Sequence, residues 1–141
     1  MSEGENLANL KAAYAEWGAS GTKGNIASLE KIMADNFSVA SMDESAPGLE
    51  FAVDTNTKVA SIAYLNGIFE YWTMEYFRPD QFVVEGTRIA VFGWCKYVHK
   101  DTGNSVECRI ANLWEFNEKG QIVSLIDIFD SAKAAAAATA R

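Results

Sequence analysis

The second half of the chain alternates apolar and polar residues, and this pattern restricts the fold more than any other feature. Side chains at alternate positions of a strand point to opposite faces, so the alternation predicts half-buried strands. The predicted strands span residues 73–85, 88–99, 105–116 and 121–130, and turn-forming residues separate them at 85–87, 101–104 and 117–120. Short turns join antiparallel neighbours, so we predict an antiparallel meander.

The residues before the meander follow a helical period instead. The first apolar stripe consists of Leu7, Leu10, Tyr14 and Trp17. It predicts a helix over 5–18, which ends in a glycine-rich segment. A second helix is predicted over 25–34, a short strand over 37–42 and a loop over 43–54. A third helix is predicted from Asn56 or Thr57 to about residue 71, with the apolar stripe Val59, Ile62, Leu65, Phe69 and Trp72. This order is that of an α+β protein.

Composition limits the classes of protein that these elements can build. The chain has 141 residues, 49% of them hydrophobic, so a single domain over 1–141 can bury a sizeable core. We expect flexible tails at 1–4 and from about 132 to 141, where an alanine run is typical of a frayed helix. The formal net charge of -7 disfavours nucleic acid and anionic membranes as partners, because both attract a basic face.

Neither the N-terminus nor the cysteines indicate export or a metal. The chain begins Met-Ser-Glu-Gly-Glu, and no apolar run reaches the ~18 residues of a membrane span, so we expect a cytoplasmic protein. Cys95 and Cys108 lie in predicted strands and are expected to be reduced, buried thiols. Because the chain has one histidine, no Cys/His cluster and no metal-ligand spacing, we expect no metal site.

Two polar residues interrupt the apolar faces of the last two predicted strands. The apolar face of the strand over 105–116 carries Val106, Cys108, Ile110, Asn112, Trp114 and Phe116. The apolar face of the strand over 121–130 carries Val123, Leu125, Asp127 and Phe129. A buried amide or carboxylate is costly unless it is paired or lines a cavity. Asn112 and Asp127 are therefore candidate site residues, since a polar pair in an apolar hollow is typical of a small-molecule site.

Hairpin geometry predicts that Asn112 and Asp127 face the same cavity. Short loops predict four opposed pairs, namely Cys95 with Ile110, Tyr97 with Cys108, Asn112 with Leu125 and Ile110 with Asp127. Asn112 and Asp127 are then diagonal neighbours. A one-residue bulge in the last hairpin would turn Asp127 to the other face of the sheet.

The opposite face of the sheet carries apolar residues that three short helices cannot cover. These outer-face residues are Phe92, Trp94, Leu113, Ile126 and Ile128. Charged side chains flank them, and an apolar stretch with a charged rim indicates a subunit interface. We therefore predict a homodimer through the outer sheet face.

Local motifs add to the order of the elements. They are Tyr-Ala-Glu-Trp at 14–17, the segment 29–37, Thr-Gly at 102–103, the segment 113–122 and Asp-Ile-Phe-Asp at 127–130. With these motifs the chain resembles the SnoaL-like branch of the nuclear transport factor 2 fold superfamily, whose relatives include ketosteroid isomerases and polyketide cyclases. The resemblance implies a cone-shaped, curved antiparallel sheet packed on three N-terminal helices, an apolar pocket between them, and a dimer.

The resemblance also implies roles for individual residues. Tyr14 falls where the isomerases have a tyrosine that hydrogen-bonds the substrate oxyanion, and Asn112 where they have a second donor. Their general-base aspartate falls near Ser41, which is a poor proton shuttle, so Asp127 becomes the candidate base. Desolvation in an apolar hollow would raise its pKa. The candidate substrate-binding residues are Trp17, Phe69, Trp72, Tyr97, Ile110, Trp114, Leu125 and Phe129.

Three hypotheses for the function follow. The first is an isomerase, cyclase or hydrolase that transfers protons on a small, largely apolar carbonyl compound without a cofactor. The second is a non-catalytic module that binds a small apolar molecule, and the third is a dimeric association domain whose cone is filled. The first two predict a cavity that contains Asp127, whereas the third predicts none. A fold alone does not decide among them.

Overall fold

The computed structural model describes residues 2–42 and 44–139 and confirms the predicted α+β class. Its elements are α1 (Glu3–Trp17), α2 (Ala27–Lys31), β1 (Met33–Ala40), α3 (Lys58–Tyr71), β2 (Trp72–Glu85), β3 (Arg88–His99), β4 (Ser105–Phe116), β5 (Ile122–Ile128) and α4 (Ser131–Thr139). The five strands form one sheet in the order β1-β5-β4-β3-β2. The meander of β2 to β5 is antiparallel as predicted, whereas β1 joins β5 in parallel.

Side-chain caps determine where α1 and α3 begin. The Ser2 hydroxyl accepts a hydrogen bond from the Glu5 backbone N–H at 3.1 Å, and the Glu5 side chain accepts one from the Ser2 backbone N–H in return. This capping box starts α1 at Glu3, inside the segment 1–4 that is predicted to be a flexible tail. Thr57, one of the two predicted caps, starts α3 by accepting from the Ala60 N–H at 3.1 Å.

The buried face of α3 differs from the predicted apolar stripe. Leu65 and Phe69 are buried as predicted, but Val59 at the start of the stripe is 81% exposed. Ser61 and Tyr64 are buried in its place. The helix therefore turns two hydroxyl-bearing side chains toward the sheet as well as apolar ones.

The second helix is shorter than predicted and the first strand begins earlier. α2 ends at Lys31, and β1 begins at Met33 rather than at residue 37. The apolar residues at 33, 34 and 37 fit either a helix or a strand, and long-range pairing decides between them. The Ile122 N–H donates to the Ile32 carbonyl at 2.7 Å, which ties this segment to β5 as a parallel edge strand.

Bulges bend the long edge strand β2 and curve the sheet around the helices. The register with β3 shifts between residues 74 and 76 and again between residues 79 and 81. A bulge bends and twists the strand that carries it. Gly93 lies opposite the second bulge, where an added Cβ would be 2.0 Å from the Arg78 carbonyl oxygen, so no larger residue fits.

The last hairpin differs from the predicted register by two residues, and a difference of two leaves the side-chain directions unchanged. Phe116 pairs with Ile122, one residue later than predicted, and a bulge at Val123 adds a second shift. One shift alone would turn Asp127 away from the cavity, but two return it to the same face. Asn112 therefore lies directly opposite Asp127, and the predicted diagonal arrangement is wrong.

The hairpin between β3 and β4 also differs from the prediction by two residues. Cys95 lies opposite Cys108, and Tyr97 lies opposite Val106. The reason is a longer loop over residues 100–103, closed by the His99 N–H donating to the Asn104 carbonyl at 2.8 Å, where a two-residue turn at 102–103 was predicted. A shift of two leaves every side chain on its predicted face, but it brings the two cysteines into one cross-strand pair.

The alanine-rich C-terminal segment forms the helix α4, as the alanine run predicts. Ala134 and Ala137 are buried. The Ala137 carbonyl accepts hydrogen bonds from the Thr102 hydroxyl at 2.7 Å and the Asn104 amide at 3.3 Å, which fasten the helix to the β3–β4 connection. Residues 1, 140 and 141 of the predicted tails lie outside the described residues.

Candidate functional site

A cavity of about 100 Å³ lies between the concave face of the sheet and the helices. A single water needs only about 10–15 Å³ of such space, so the cavity has room for a small molecule. Its walls are mostly apolar and come from all four helices, from β2 to β5 and from the loop around residue 50. The three predicted catalytic residues, Tyr14, Asn112 and Asp127, all line it.

Hydrogen bonds join these three side chains and two others in a continuous chain. The Trp114 indole N–H donates to the Tyr14 hydroxyl at 2.9 Å, and this hydroxyl donates to Asn112 Oδ1 at 2.5 Å. Asn112 Nδ2 donates to Asp127 Oδ1 at 2.9 Å. The Tyr64 hydroxyl donates to the other carboxylate oxygen, Oδ2, at 2.9 Å. The Asp127 carboxylate is therefore held at both oxygens.

Burial raises the pKa of Asp127 from its ordinary value of 3.8 to about 6, because apolar surroundings disfavour the ionised form. The hydrogen bonds from Tyr64 and Asn112 act in the opposite direction, since they stabilise the carboxylate. Burial also raises the pKa values of the Tyr14 and Tyr64 hydroxyls, so both remain protonated. With a pKa of about 6, Asp127 can exchange a proton near neutral pH.

Tyr14 and Asn112 are close to Asp127, but their donor groups are already engaged. Asn112 Nδ2 donates to Asp127 and to the Ala111 carbonyl at 3.1 Å, and the Tyr14 proton points to Asn112 Oδ1. The oxyanion roles that the resemblance implied would require one of these bonds to break. In the arrangement observed, the two residues position the Asp127 carboxylate.

Tyr64 belongs to the site although the sequence pattern did not single it out. Its hydroxyl contacts the Ser41 hydroxyl as well as Asp127. Ser41 lies just beyond β1, and its backbone N–H donates to the Asp54 carboxylate at 3.0 Å. The position where the isomerases have their base is therefore connected to Asp127 through a single tyrosine.

Seven of the eight predicted substrate-binding residues line the cavity, namely Trp17, Trp72, Tyr97, Ile110, Trp114, Leu125 and Phe129. Phe69 does not reach the lining. Its ring lies 5.2 Å from that of Trp17, so it packs behind the wall and supports it. The lining also includes Leu49 and Phe51 from the loop after β1 and both cysteines, which were not predicted as binding residues.

Tyr97 is a further lining residue that carries a hydroxyl. The Trp17 indole hydrogen-bonds its oxygen, and burial raises its pKa well above the ordinary value, so the hydroxyl is protonated. The charge of Asp127 also raises the pKa of Tyr97, which places the two groups within electrostatic reach of each other.

The described residues contain neither a metal-binding cluster nor a membrane-spanning helix. They contain no group of three or more His, Cys, Asp or Glu side chains arranged to hold a metal ion. Nor does any helix in residues 2–42 and 44–139 combine the length and the apolar character needed to cross a membrane.

A curved sheet wrapped over helices around a cavity defines the nuclear transport factor 2-like class of folds, and solved structures share it. An NTF2-like protein from Burkholderia xenovorans LB400 is 22% identical with a TM-score of 0.79, over 99% of each chain. A candidate SnoaL-like polyketide cyclase from Jannaschia sp. CCS1 is 16% identical with a TM-score of 0.77, over 97% of this chain and 93% of that one.

A sequence family within this fold can also be assigned to the chain. The model of the SnoaL-like domain matches residues 10–125, and the chain belongs to this family. A further solved structure is TerC co-crystallised with polyporic acid, which is 16% identical with a TM-score of 0.69, over 90% of this chain and 92% of that one. No curated protein matches the chain significantly. The resemblance inferred from the sequence is thus confirmed at the level of family and fold.

Proposed function

We propose that the protein catalyses proton transfer on a small, largely apolar carbonyl compound, as an isomerase, cyclase or hydrolase that needs no cofactor. The observation that carries this proposal is the Asp127 carboxylate, held at both oxygens in an apolar cavity with its pKa raised to about 6. A base with such a pKa can take up and return a proton near neutral pH. Membership of the SnoaL-like family supports the reaction class and leaves the substrate open.

In the proposed reaction Asp127 removes a proton from the carbon next to the carbonyl group. Negative charge then develops on the carbonyl oxygen, and a preorganised donor stabilises it. Tyr97 lines the cavity with a protonated hydroxyl, so it can donate there. Tyr14 can add a second donor if it releases Asn112. The aromatic walls hold the apolar part of the compound and exclude water, which strengthens these electrostatic interactions.

Exchange of hydrogen for deuterium tests this chemistry before the substrate is known. Small cyclic ketones and 1,3-diketones would be incubated with the protein in D₂O, and loss of the hydrogens next to the carbonyl group followed by proton NMR. We expect the wild type to accelerate exchange in compounds that fit the cavity. Asp127→Asn should lose about 10²–10⁴-fold of the acceleration, the usual contribution of a general base.

A nearby carboxylate provides the matched control. Asp130 lies at the end of the cavity and caps α4 through the Lys133 N–H at 3.0 Å, a role that asparagine can also fill. Asp130→Asn should therefore keep both the fold and the exchange rate. Equal exchange in the wild type and in folded Asp127→Asn would refute the proposal.

A specific observation favours the binding module as the second candidate. The Tyr14 hydroxyl, the Asn112 amide and the Trp114 indole satisfy one another, so the cavity presents mainly carbon to a ligand. A protein of this kind would bind small apolar compounds with no exchange of their hydrogens. The binding module would be the function if Asp127→Asn binds small apolar compounds as well as the wild type does, and if the wild type does not exchange their hydrogens. The filled association domain is disfavoured by the cavity at Asp127.

We further propose that the protein is a homodimer through the outer sheet face. Phe92, Ile126 and Ile128 are 45%, 42% and 47% exposed there. Trp94 lies on the same face with the Arg109 guanidinium 4.6 Å from its ring. Apolar residues of this size leave the solvent when a second copy of the sheet packs on them, and the charged groups form the rim.

A further inference from the structure

Two cysteines face each other across the concave side of the sheet. Cys95 in β3 is directly opposite Cys108 in β4, and both are free thiols. Both line the cavity, although only 4% and 5% of their surfaces are exposed. Neither takes part in the proton transfer proposed above, so the pair needs its own explanation.

The cross-strand position places the two sulfurs in a geometry that permits a bond between them. Directly opposed residues of antiparallel strands have Cα atoms about 4.5–5.5 Å apart, and a disulfide spans about 4.4–6.8 Å. The β3–β4 register runs without a bulge from Arg88 to Val98, so this spacing holds at the cysteines. The backbone would need little movement to close the bond.

The surroundings make the two thiols chemically unequal. A hydrogen bond from the Cys95 thiol and one from the Asp130 backbone N–H lower the pKa of Cys108. The Lys133 charge acts in the same direction. The hydrogen bond to Cys108 and burial raise the pKa of Cys95. The thiolate is the nucleophilic form, so Cys108 is the attacking sulfur and Cys95 the second one.

We propose that Cys95 and Cys108 form a dithiol modification site inside the cavity, which hydroperoxides convert to a cross-strand disulfide. A small hydroperoxide has access through the cavity itself, whose lining includes the partly exposed Asn25, Ile26 and Asp130. The cavity would then serve two chemistries at separate positions, because Cys108 and Asn112 lie four residues apart along the same face of β4.

The reaction balances with the peroxide as the oxidant. The Cys108 thiolate attacks one peroxide oxygen, the O–O bond breaks, and the leaving oxygen departs as water after taking up a proton. Cys108 is then a sulfenic acid. The Cys95 sulfur attacks the Cys108 sulfur, the S–O bond breaks, and the hydroxide leaves as water with the Cys95 proton. Two thiols are oxidised to one disulfide, and one hydrogen peroxide is reduced to two waters.

Peptide mapping of the folded protein tests the site without any substrate. The wild type would be treated with hydrogen peroxide, the remaining thiols blocked, and the digest read by mass spectrometry. We expect a disulfide between Cys95 and Cys108 within one chain, reversed by dithiothreitol. In Cys95→Ser, dimedone should trap a sulfenic acid on Cys108. In Cys108→Ser, Cys95 should react at least about tenfold more slowly, because burial still raises the pKa of its thiol.

A second probe keeps the test informative if a variant is unstable. Phenylarsine oxide bridges two thiols only when they are close, so it should bind the folded wild type once and bind Cys95→Ala and Cys108→Ala much more weakly. Circular dichroism would confirm that each variant is folded. The proposal is wrong if peroxide gives only disulfides between chains, if it oxidises Cys108 to the sulfinic acid with no bond to Cys95, or if both thiols react only after denaturation. None of these outcomes depends on proton transfer by Asp127.

Discussion

The centre of the β4–β5 ladder carries two neighbouring cross-strand pairs of opposite character. Asn112 and Asp127 are polar and face the cavity, whereas Leu113 and Ile126 are apolar and face outward. Ile126 is 42% exposed, while Asn112 is only 7% exposed. A sheet with one buried face normally shows the reverse, with apolar residues inside and polar residues outside. The same two strands thus break the usual pattern on both faces.

The polar inner pair and the apolar outer pair each cost free energy in an isolated subunit. A carboxylate loses hydration in the cavity, and apolar side chains remain in water on the outer face. Residues that break a local rule without a gain in packing mark functional positions. We infer that the inner pair is kept for chemistry and the outer pair for contact with a second subunit, and variants of each pair can separate the two roles.

The largest effect is expected on the outer face. Leu113→Asp would place a carboxylate in the proposed interface, and the symmetry of a homodimer places it there twice. A desolvated, unpaired charge costs 2–5 kcal/mol or more, so the dimer should weaken by at least about 10³-fold. Sedimentation velocity at micromolar concentration checks this. Val59→Asp adds the same charge at a site that is 81% exposed on α3, and it should leave the dimer intact. A wild-type monomer would contradict the interface.

The next effect is a stability change that depends on pH. The Asp127 pKa is raised in the folded protein, so the folded state holds this proton more tightly than the unfolded state does. The contribution of Asp127 to stability is therefore fully present below about pH 4 and is lost as pH rises to about 6. Ionisation of the buried carboxylate costs about 3 kcal/mol at pH 8, from roughly two pKa units at 1.36 kcal/mol each.

Asp127→Asn removes this titration, which gives a difference that denaturant unfolding can measure. The stability of the variant relative to the wild type should increase by up to about 3 kcal/mol between pH 4 and pH 8. The lost hydrogen bonds to a charged group lower the variant's stability at pH 8 by part of that amount. A difference that shrinks as pH rises would show that Asp127 is a structural ion whose pairing stabilises the fold.

A somewhat smaller effect is expected when the inner pair loses its amide. Asn112→Leu would leave Asp127 bonded only to Tyr64, so the carboxylate would no longer be fixed at both oxygens. A misplacement of this kind costs on the order of 10²-fold in turnover. The rate at which the protein exchanges the substrate's hydrogens should be measured across pH. If Asn112 positions the base, the apparent pKa of Asp127 should move upward in the variant, which a loss of fold would not produce. An unchanged pH profile would argue against a positioning role.

The smallest effect is expected from the tyrosine on α3. Tyr64→Phe removes a hydrogen bond that lowers the Asp127 pKa, so the pKa should rise further, by about one unit for a bond to a charged group. Tyr71→Phe on the same helix, where no bond to Asp127 exists, should leave the pKa unchanged. Carboxyl NMR titration of both variants makes the comparison. Equal pKa values in the two would exclude Tyr64 from the site.

The sequence alone predicted the elements of the meander, the faces of its strands and most of the cavity wall. Period-two patterning identifies faces reliably because one face is buried, but it does not determine register. Both hairpins are two residues out of the predicted register, since the loop length and the bulge at Val123 are set by tertiary geometry. The opposition of Cys95 and Cys108 was missed for this reason.

The sequence pattern does not identify Tyr64 as a site residue, because a buried tyrosine on a helix is also typical of ordinary core packing. Ser61, Tyr64 and Ile68 recur at helical spacing on α3, yet the more apolar stripe beside them gave a stronger pattern. The sequence pattern predicts a helix over the first residues of β1 because the parallel partner, β5, lies about 85 residues away, as in the Ser38–Ser124 pair. Such long-range pairing leaves no local mark in the sequence.

The pKa of Asp127 in the wild-type protein tests the central claim most directly. Aspartate labelled with carbon-13 at the carboxyl group gives one NMR signal for each side chain, and the signal absent from Asp127→Asn identifies residue 127. Its titration should have a midpoint near pH 6, because burial outweighs the hydrogen bonds from Tyr64 and Asn112. A midpoint near the ordinary value of 3.8 would show a solvated carboxylate and would contradict its role as a base at neutral pH.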